Sequence, residues 1–273
     1  MNWKQTLFWS FSAAAIFYYF LLFGVFVFVG QEEMQLFIPE WWYIREFLFQ
    51  PGGFCAVAGQ WIIQYYRQPM SAVVFHTVLL VGCGFMVYRI LRCFSDKTYL
   101  LFLSLLPVLY LVKMSIHGEY LVDGTVGVVL MLLALSVSLK VRRAGSIAGY
   151  GIASTLFLCG LTGLLSVCYA FLYTLLALLR YKTSRQRLAA SACLIPALFI
   201  YLFSGWLGIP VPLSDGWMPE AYLEIQRLPH YYMYRVWTFF TLSIVGVALF
   251  ARFVPVIGEK LSLIHISEPT RQE

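Results

Sequence analysis

The sequence predicts an all-α, polytopic membrane protein with about eight transmembrane helices and a cytoplasmic amino terminus. Three observations predict it. First, 61% of residues are hydrophobic and only 12% charged, with mean hydropathy +0.78. A typical soluble domain is about 25% charged, so lipid has to solvate most of this apolar surface. Second, the apolar residues fall in runs close to the roughly 20 residues that cross a bilayer as a helix. Third, Lys and Arg crowd into every second gap between the runs.

That third pattern sets orientation, because cationic loops resist translocation. With the amino terminus inside, the cytoplasmic gaps hold Lys4, then Arg89, Arg92 and Lys97, then Lys140, Arg142 and Arg143. They continue with Arg180, Lys182, Arg185 and Arg187, and end with Arg252 and Lys260. The opposite gaps hold Arg45, Arg67, Lys113, Arg227 and Arg235. They also hold most of the acids: Glu32, Glu33, Glu40, Glu46, Glu119, Asp123, Asp215, Glu220 and Glu224.

The first run, Leu7 to Val29, is long enough to span, as are Ser71 to Ile90 and Thr98 to Met114. It is too long and aromatic, and lacks a small-residue cleavage site, to be a removable signal peptide. The fourth run, Tyr120 to Leu139, is apolar only after Asp123, so it carries a carboxylate at its outer end. Residues 144–179 carry no charge between two basic clusters. Charge parity then demands two crossings, divided at Gly160–Gly163 into a tight hairpin. Leu188 to Trp206 and Trp237 to Phe253 complete the set.

Two outer segments are longer than turns. In Gly30 to Pro69, a Pro51-Gly52-Gly53 break precedes FCAVAGQWIIQYYRQ, where Gln60, Gln64 and Arg67 recur on one helical face. That pattern suits a helix in the interface plane, its apolar side in lipid or against other helices. In Leu207 to Arg235, Pro219 opens a short helix, and Trp217, Tyr222, Tyr231, Tyr232, Tyr234 and Trp237 form an aromatic belt. Residues 1–260 are thus expected to form one transmembrane domain. Leu261 to Arg271 reads LSLIHISEPTR, the in-frame translation of a sequencing adaptor, so 261–273 are expected to be non-native and 1–260 an amino-terminal fragment.

The formal charge of +6 sits in short juxtamembrane clusters. Membrane lipid is the expected partner, and nucleic acid is not. The six cysteines offer neither a disulfide framework nor zinc-site spacing and read as small core residues. No phosphate loop, dinucleotide fingerprint or Ser-His-Asp arrangement is present, so the sequence names no cofactor.

The candidate chemistry is acidic and lies on the outer side. Glu32 and Glu33 directly follow the first span, where a carboxylate can act as a general base on a lipid-linked substrate. The plainer alternative is that they terminate the helix. His117, Glu119 and Asp123 lie within seven residues in SIHGEYLVDG, a spacing that matches no metal signature. A solvated loop with a helix start at Asp123 explains them more simply. His76 lies inside the second span, where an ionisable group is costly and is a functional candidate by default; a neutral histidine hydrogen-bonded to a neighbouring helix accounts for it equally well. Nearer the outer end, it is placed to face Glu32 or Asp123. Arg67, Arg227, His230 and Arg235 can grip a phosphate, with an aromatic anchor and snorkelling arginines as the alternative.

GQEEMQLF, QPGGFCAVAGQWIIQYY and DGTVGVVLMLL together resemble an uncharacterised family of bacterial polytopic inner-membrane proteins, a domain of unknown function. The resemblance implies a multi-pass inner-membrane location and no activity. A looser architectural resemblance is to membrane glycosyltransferases that use polyprenyl-phosphate sugars. There, a first helix leads into a long outer loop with acids and interface-lying helices. Glu32, Glu33 and the segment 41–66 hold the matching place, although this chain has adjacent glutamates where those enzymes usually have an aspartate.

Three functions follow. The first is a transferase at the outer leaflet, with Glu32, Glu33 and Asp123 catalytic and Arg67, Arg227 and His230 holding the substrate. The second is a non-catalytic anchor or assembly protein. The third, a transporter or flippase, ranks last because the span interiors are nearly free of charge.

Overall fold

Inside a bilayer the backbone has no water to bond, so a crossing segment must satisfy its own amides, and helices do so. The computed structural model describes residues 3–34, 37–117, 120–203, 206 and 235–253, and these form helices and short connections with no strand among them.

Helices α1 (Trp3–Phe23) and α2 (Val25–Met34) form one continuous path. Across Gly24 the ladder is intact: its amide donates to Phe20 O at 2.8 Å, and its carbonyl accepts from the Phe28 amide at 3.0 Å. A Cβ on Gly24 would lie 2.8 Å from the Phe28 ring, so the missing side chain lets that ring fold back. Next come α3 (Trp41–Leu48), α4 (Gly53–Ile63), a 3-10 turn at Gln64–Arg67 and α5 (Pro69–Leu91). Pro69 starts α5 without loss, since the first amides of a helix have no internal acceptor.

Helices α6 (Leu100–Met114), α7 (Val122–Ser138), α8 (Ala144–Thr162) and α9 (Leu165–Arg180) follow. The α8–α9 break falls at Gly163, whose φ of +63° favours a residue without Cβ. The charge-free stretch is therefore a helical hairpin, divided where its glycines lie. Tyr181 Oη closes it by donating to Val141 O at 2.7 Å, which ties the end of α9 to the start of α8.

Within the run Leu188–Trp206, expected as one span, the helix is interrupted, giving α10 (Ser184–Ser191) and α11 (Leu194–Leu202). Pro196 is the physical reason. It has no amide to give Ala192 O, so the helix restarts at Leu194. Finally α12 (Arg235–Phe253) runs along α6, with Phe239 against Tyr110 and Phe250 against Tyr99 at ring-centroid distances of 5.6 and 6.4 Å.

With α1–α2 taken together, that path and α5, α6, α7, α8 and α9 run back and forth between two ends of the bundle through short connections. At one end Gln5 Nε2 donates to Tyr88 Oη at 2.9 Å, joining the start of α1 to the end of α5. At the other, Gln31 Nε2 donates to Tyr120 O at 3.0 Å, joining the end of α2 to the segment entering α7. Helices α5 and α7 form the spine, with α1 and α6 packed on α5 and with α4, α8 and α9 packed on α7.

Among the described residues four helices (α1, α5, α8 and α12) are long and apolar enough to cross a membrane, and α6, α7 and α9 are shorter apolar helices. Their outward side chains are apolar too, with Phe11 in α1 77% and Phe157 in α8 69% exposed. Interior hydroxyls turn back on their own helices, as Thr77 does to Val73 O and Thr174 to Ala170 O. This is a membrane-associated helical protein.

The first long loop holds two helices in different settings. Helix α3 has no buried residue and holds Trp41 and Trp42 outward, as an interfacial helix does. Helix α4 has its apolar side against other helices, one of the two settings expected for it: it packs on α7 and α8, burying Cys55, Gly59, Ile62 and Ile63. The Pro51-Gly52-Gly53 break lets it turn in: Gly52 N donates to Gly160 O at 3.1 Å, on the tip of the α8–α9 hairpin. The short helix and aromatic belt expected over 207–234 lie outside the described residues, except for Trp237 in α12, and so does the tail 261–273.

Candidate functional site

At the end of the bundle where α2 stops and α7 begins, four segments converge on Asp123. Its carboxylate sits in the first turn of α7, partly buried, with Oδ1 accepting from the Gly124 amide at 2.6 Å. The first amides of a helix carry partial positive charge, which favours a carboxylate there. Helix α4 lies directly on this turn. A Cβ on Gly59 would fall 2.6 Å from Asp123 Cβ and 3.0 Å from its Cα, so only glycine permits the approach.

Around the carboxylate stand Cys55, Tyr66 and Tyr120. Burial, and secondarily the charge of Asp123, pushes the Cys55 thiol up to about 12. The same two causes, in the same order, raise Tyr66. Burial raises Tyr120, partly offset by the hydrogen bond from Thr125 Oγ1 at 3.2 Å. All three therefore stay protonated near neutral pH. Among the described residues Asp123 forms no ion pair, since the salt bridge found there joins Arg92 to Asp96 at 3.2 Å.

Glu32 and Glu33 stand one and two residues after Gln31, whose buried side chain ties α2 to Tyr120. Glu32 is partly buried and Glu33 exposed. Arg67 is exposed at the end of the 3-10 turn, which packs against α2, α4 and α5. The segments bearing Glu32, Arg67 and Asp123 thus meet at one end. Arg227, His230 and Glu119 lie outside the described residues. His117 is exposed beyond α6, and Arg235 is exposed at the start of α12.

His76 does not face the acids. It is fully buried between rings, stacked on Phe28 at 4.3 Å and 10° and tilted against Phe20 at 5.5 Å. Its Nε2 shares a hydrogen bond of 2.7 Å with Tyr66 Oη. An aromatic box of this kind positions Tyr66 and excludes water.

Sequence reasoning missed Gln31, Cys55, Gly59, Tyr66 and Tyr120. Gly59, inside a helical pattern, was the one legible signal, because a glycine there usually marks a close approach. The cysteines are free among the described residues, with Cys55, Cys83 and Cys193 buried.

No curated protein and no solved structure matches the chain. A family profile does, over residues 1–269: the chain belongs to DUF6057, a family of unknown function.

Proposed function

We propose that this member of DUF6057 is a multi-pass protein of the bacterial inner membrane that crosses eight times, amino terminus inside. Its Asp123 end then forms a glycosyltransferase-like site for an anionic, lipid-linked substrate at the outer leaflet. The span count draws support from the alternating helices, with α1–α2 and α10–α11 each taken as one crossing. The orientation draws support from the cations gathered at the opposite end.

The observation that carries the catalytic reading is Asp123 itself: a partly buried carboxylate with no ion-pair partner among the described residues. Ionisable groups at membrane depth without a counter-charge mark functional positions by default. In this reading Asp123 takes the proton from the attacking hydroxyl as general base. Glu32 and Glu33 assist from the end of α2, while Arg67, with Arg227 and His230, holds the phosphate of the lipid carrier.

Gly59 favours a second reading. The tight seat of α4 on Asp123, with the bond to Gly124 N, also makes this residue a structural helix start, as in a non-catalytic anchor or assembly protein. Asp123→Asn separates the two. It keeps the shape and the acceptor oxygen, so the transferase reading expects normal membrane levels and thermal stability with loss of a lipid-linked glycan product. Wild-type envelope glycans in that variant and in Glu32→Gln/Glu33→Gln would leave the anchor reading standing. A transporter role ranks last, since the buried His76 is sealed by rings.

A further inference from the structure

Seven cations lie between Lys140 and Arg187: Lys140, Arg142, Arg143, Arg180, Lys182, Arg185 and Arg187. No acid occurs anywhere between Asp123 and Asp215. None of the seven forms a salt bridge among the described residues, and Arg180 Nη1 is buried without a hydrogen-bond acceptor. The acid found at this end, Asp96, is paired with Arg92, so no salt bridge among the described residues neutralises these seven cations.

A shaped place for a counter-charge exists. Where α9 meets α10, an open groove of about 470 Å³ is lined by Leu178, Ser184, Arg185, Arg187, Leu188 and Ser191. The chain holds this groove in register. Arg187 Nε donates to Tyr181 O at 2.8 Å, which turns its guanidinium back toward the end of α9. Gln186 Nε2 donates to Arg142 O at 2.6 Å and its Oε1 accepts from Thr183 Oγ1 at 2.8 Å, which fixes the start of α10 on the α7–α8 connection. Below the arginines the surface turns oily: Leu188 is 75% exposed and Ile195 72%. Cations above an apolar wall match a charged headgroup with acyl chains, not a soluble anion.

We propose that this groove binds an anionic phospholipid of the cytoplasmic leaflet, its phosphate held between Arg185 and Arg187 and its chains lying over Leu188 and Ile195. The site rests on the bilayer crossing and the orientation alone and is independent of the chemistry at Asp123, so either can fail without the other.

The full chain is reconstituted in phosphatidylcholine nanodiscs containing phosphatidylglycerol, and retained lipid is counted by native mass spectrometry. Wild type is expected to retain phosphatidylglycerol in preference to phosphatidylcholine. In Arg185→Gln/Arg187→Gln the preference falls roughly thirtyfold, the factor for removing two cations that each favour an anionic headgroup. Arg89→Gln, an exposed cation at the same end, leaves it unchanged. Photoactivatable phosphatidylglycerol on the wild-type chain gives a readout that needs no variant, with adducts expected on the peptide 178–195. Equal retention of both lipids, adducts elsewhere, an equal loss in Arg89→Gln, or displacement by inorganic phosphate alone would each overturn the proposal.

Discussion

Asp123 and Gly59 are best understood as a pair, because one carbon decides how close their helices come. A methyl group on Gly59 meets backbone and Cβ of Asp123, not the end of a flexible side chain, so nothing nearby can give way cheaply. Gly59→Ala is therefore expected to lower stability by about 1–3 kcal/mol, read as a fall in thermal unfolding temperature in detergent. Tyr66→Phe removes the 2.7 Å bond to His76 Nε2 and leaves a buried ring nitrogen unpaired. A loss of about 1 kcal/mol is expected, at the scale of buried hydrogen bonds inside membrane proteins. Cys55 gives a test by pH. Its thiol is pushed up to about 12, so the reactive thiolate is scarce until the pH approaches that value. Maleimide should modify the exposed Cys93 rapidly at pH 8 and leave Cys55 intact in the folded protein. Gly59 inside a helical pattern is the one part of this site legible in the sequence; Gln31 and Tyr120 are far apart in the chain, and no local pattern relates them.

Helices were easier to read than their neighbours. Apolar length carries the spans, because a bilayer of fixed thickness asks for a fixed number of residues. Hence α5, α8 and α12 are visible as runs, and the α8–α9 break falls at the expected glycines. Two details are not carried by hydropathy. The polar face of α4 leaves open whether its apolar side meets lipid or helices, and says nothing about which neighbour its glycine and cysteine touch. The break between α10 and α11 is hidden because Pro196 sits inside an unbroken apolar run, and hydropathy does not register a missing amide. At the hairpin tip, Gly163→Ala places a Cβ on a residue with φ +63° and ψ −129°, a conformation L residues rarely adopt, and is expected to cost about 1–3 kcal/mol. Gly160→Ala, which meets open space, should cost less. Comparing the two unfolding temperatures checks that backbone conformation, not helix propensity, sets the tip.

At the scale of the molecule, the two ends of the bundle differ in charge, and that difference organises both proposed sites. One end gathers Glu32, Arg67 and Asp123 on segments that touch, and the other gathers the seven cations from Lys140 to Arg187, with no acid between Asp123 and Asp215. The most direct test replaces Glu33 or Arg185, both exposed, with a single cysteine in a chain whose native cysteines are changed to serine or alanine. Intact cells are then treated with a membrane-impermeant maleimide. Labelling at position 33 without labelling at 185, until the membrane is opened, is the expected result. Labelling of both positions in intact cells, or of neither, would contradict the arrangement.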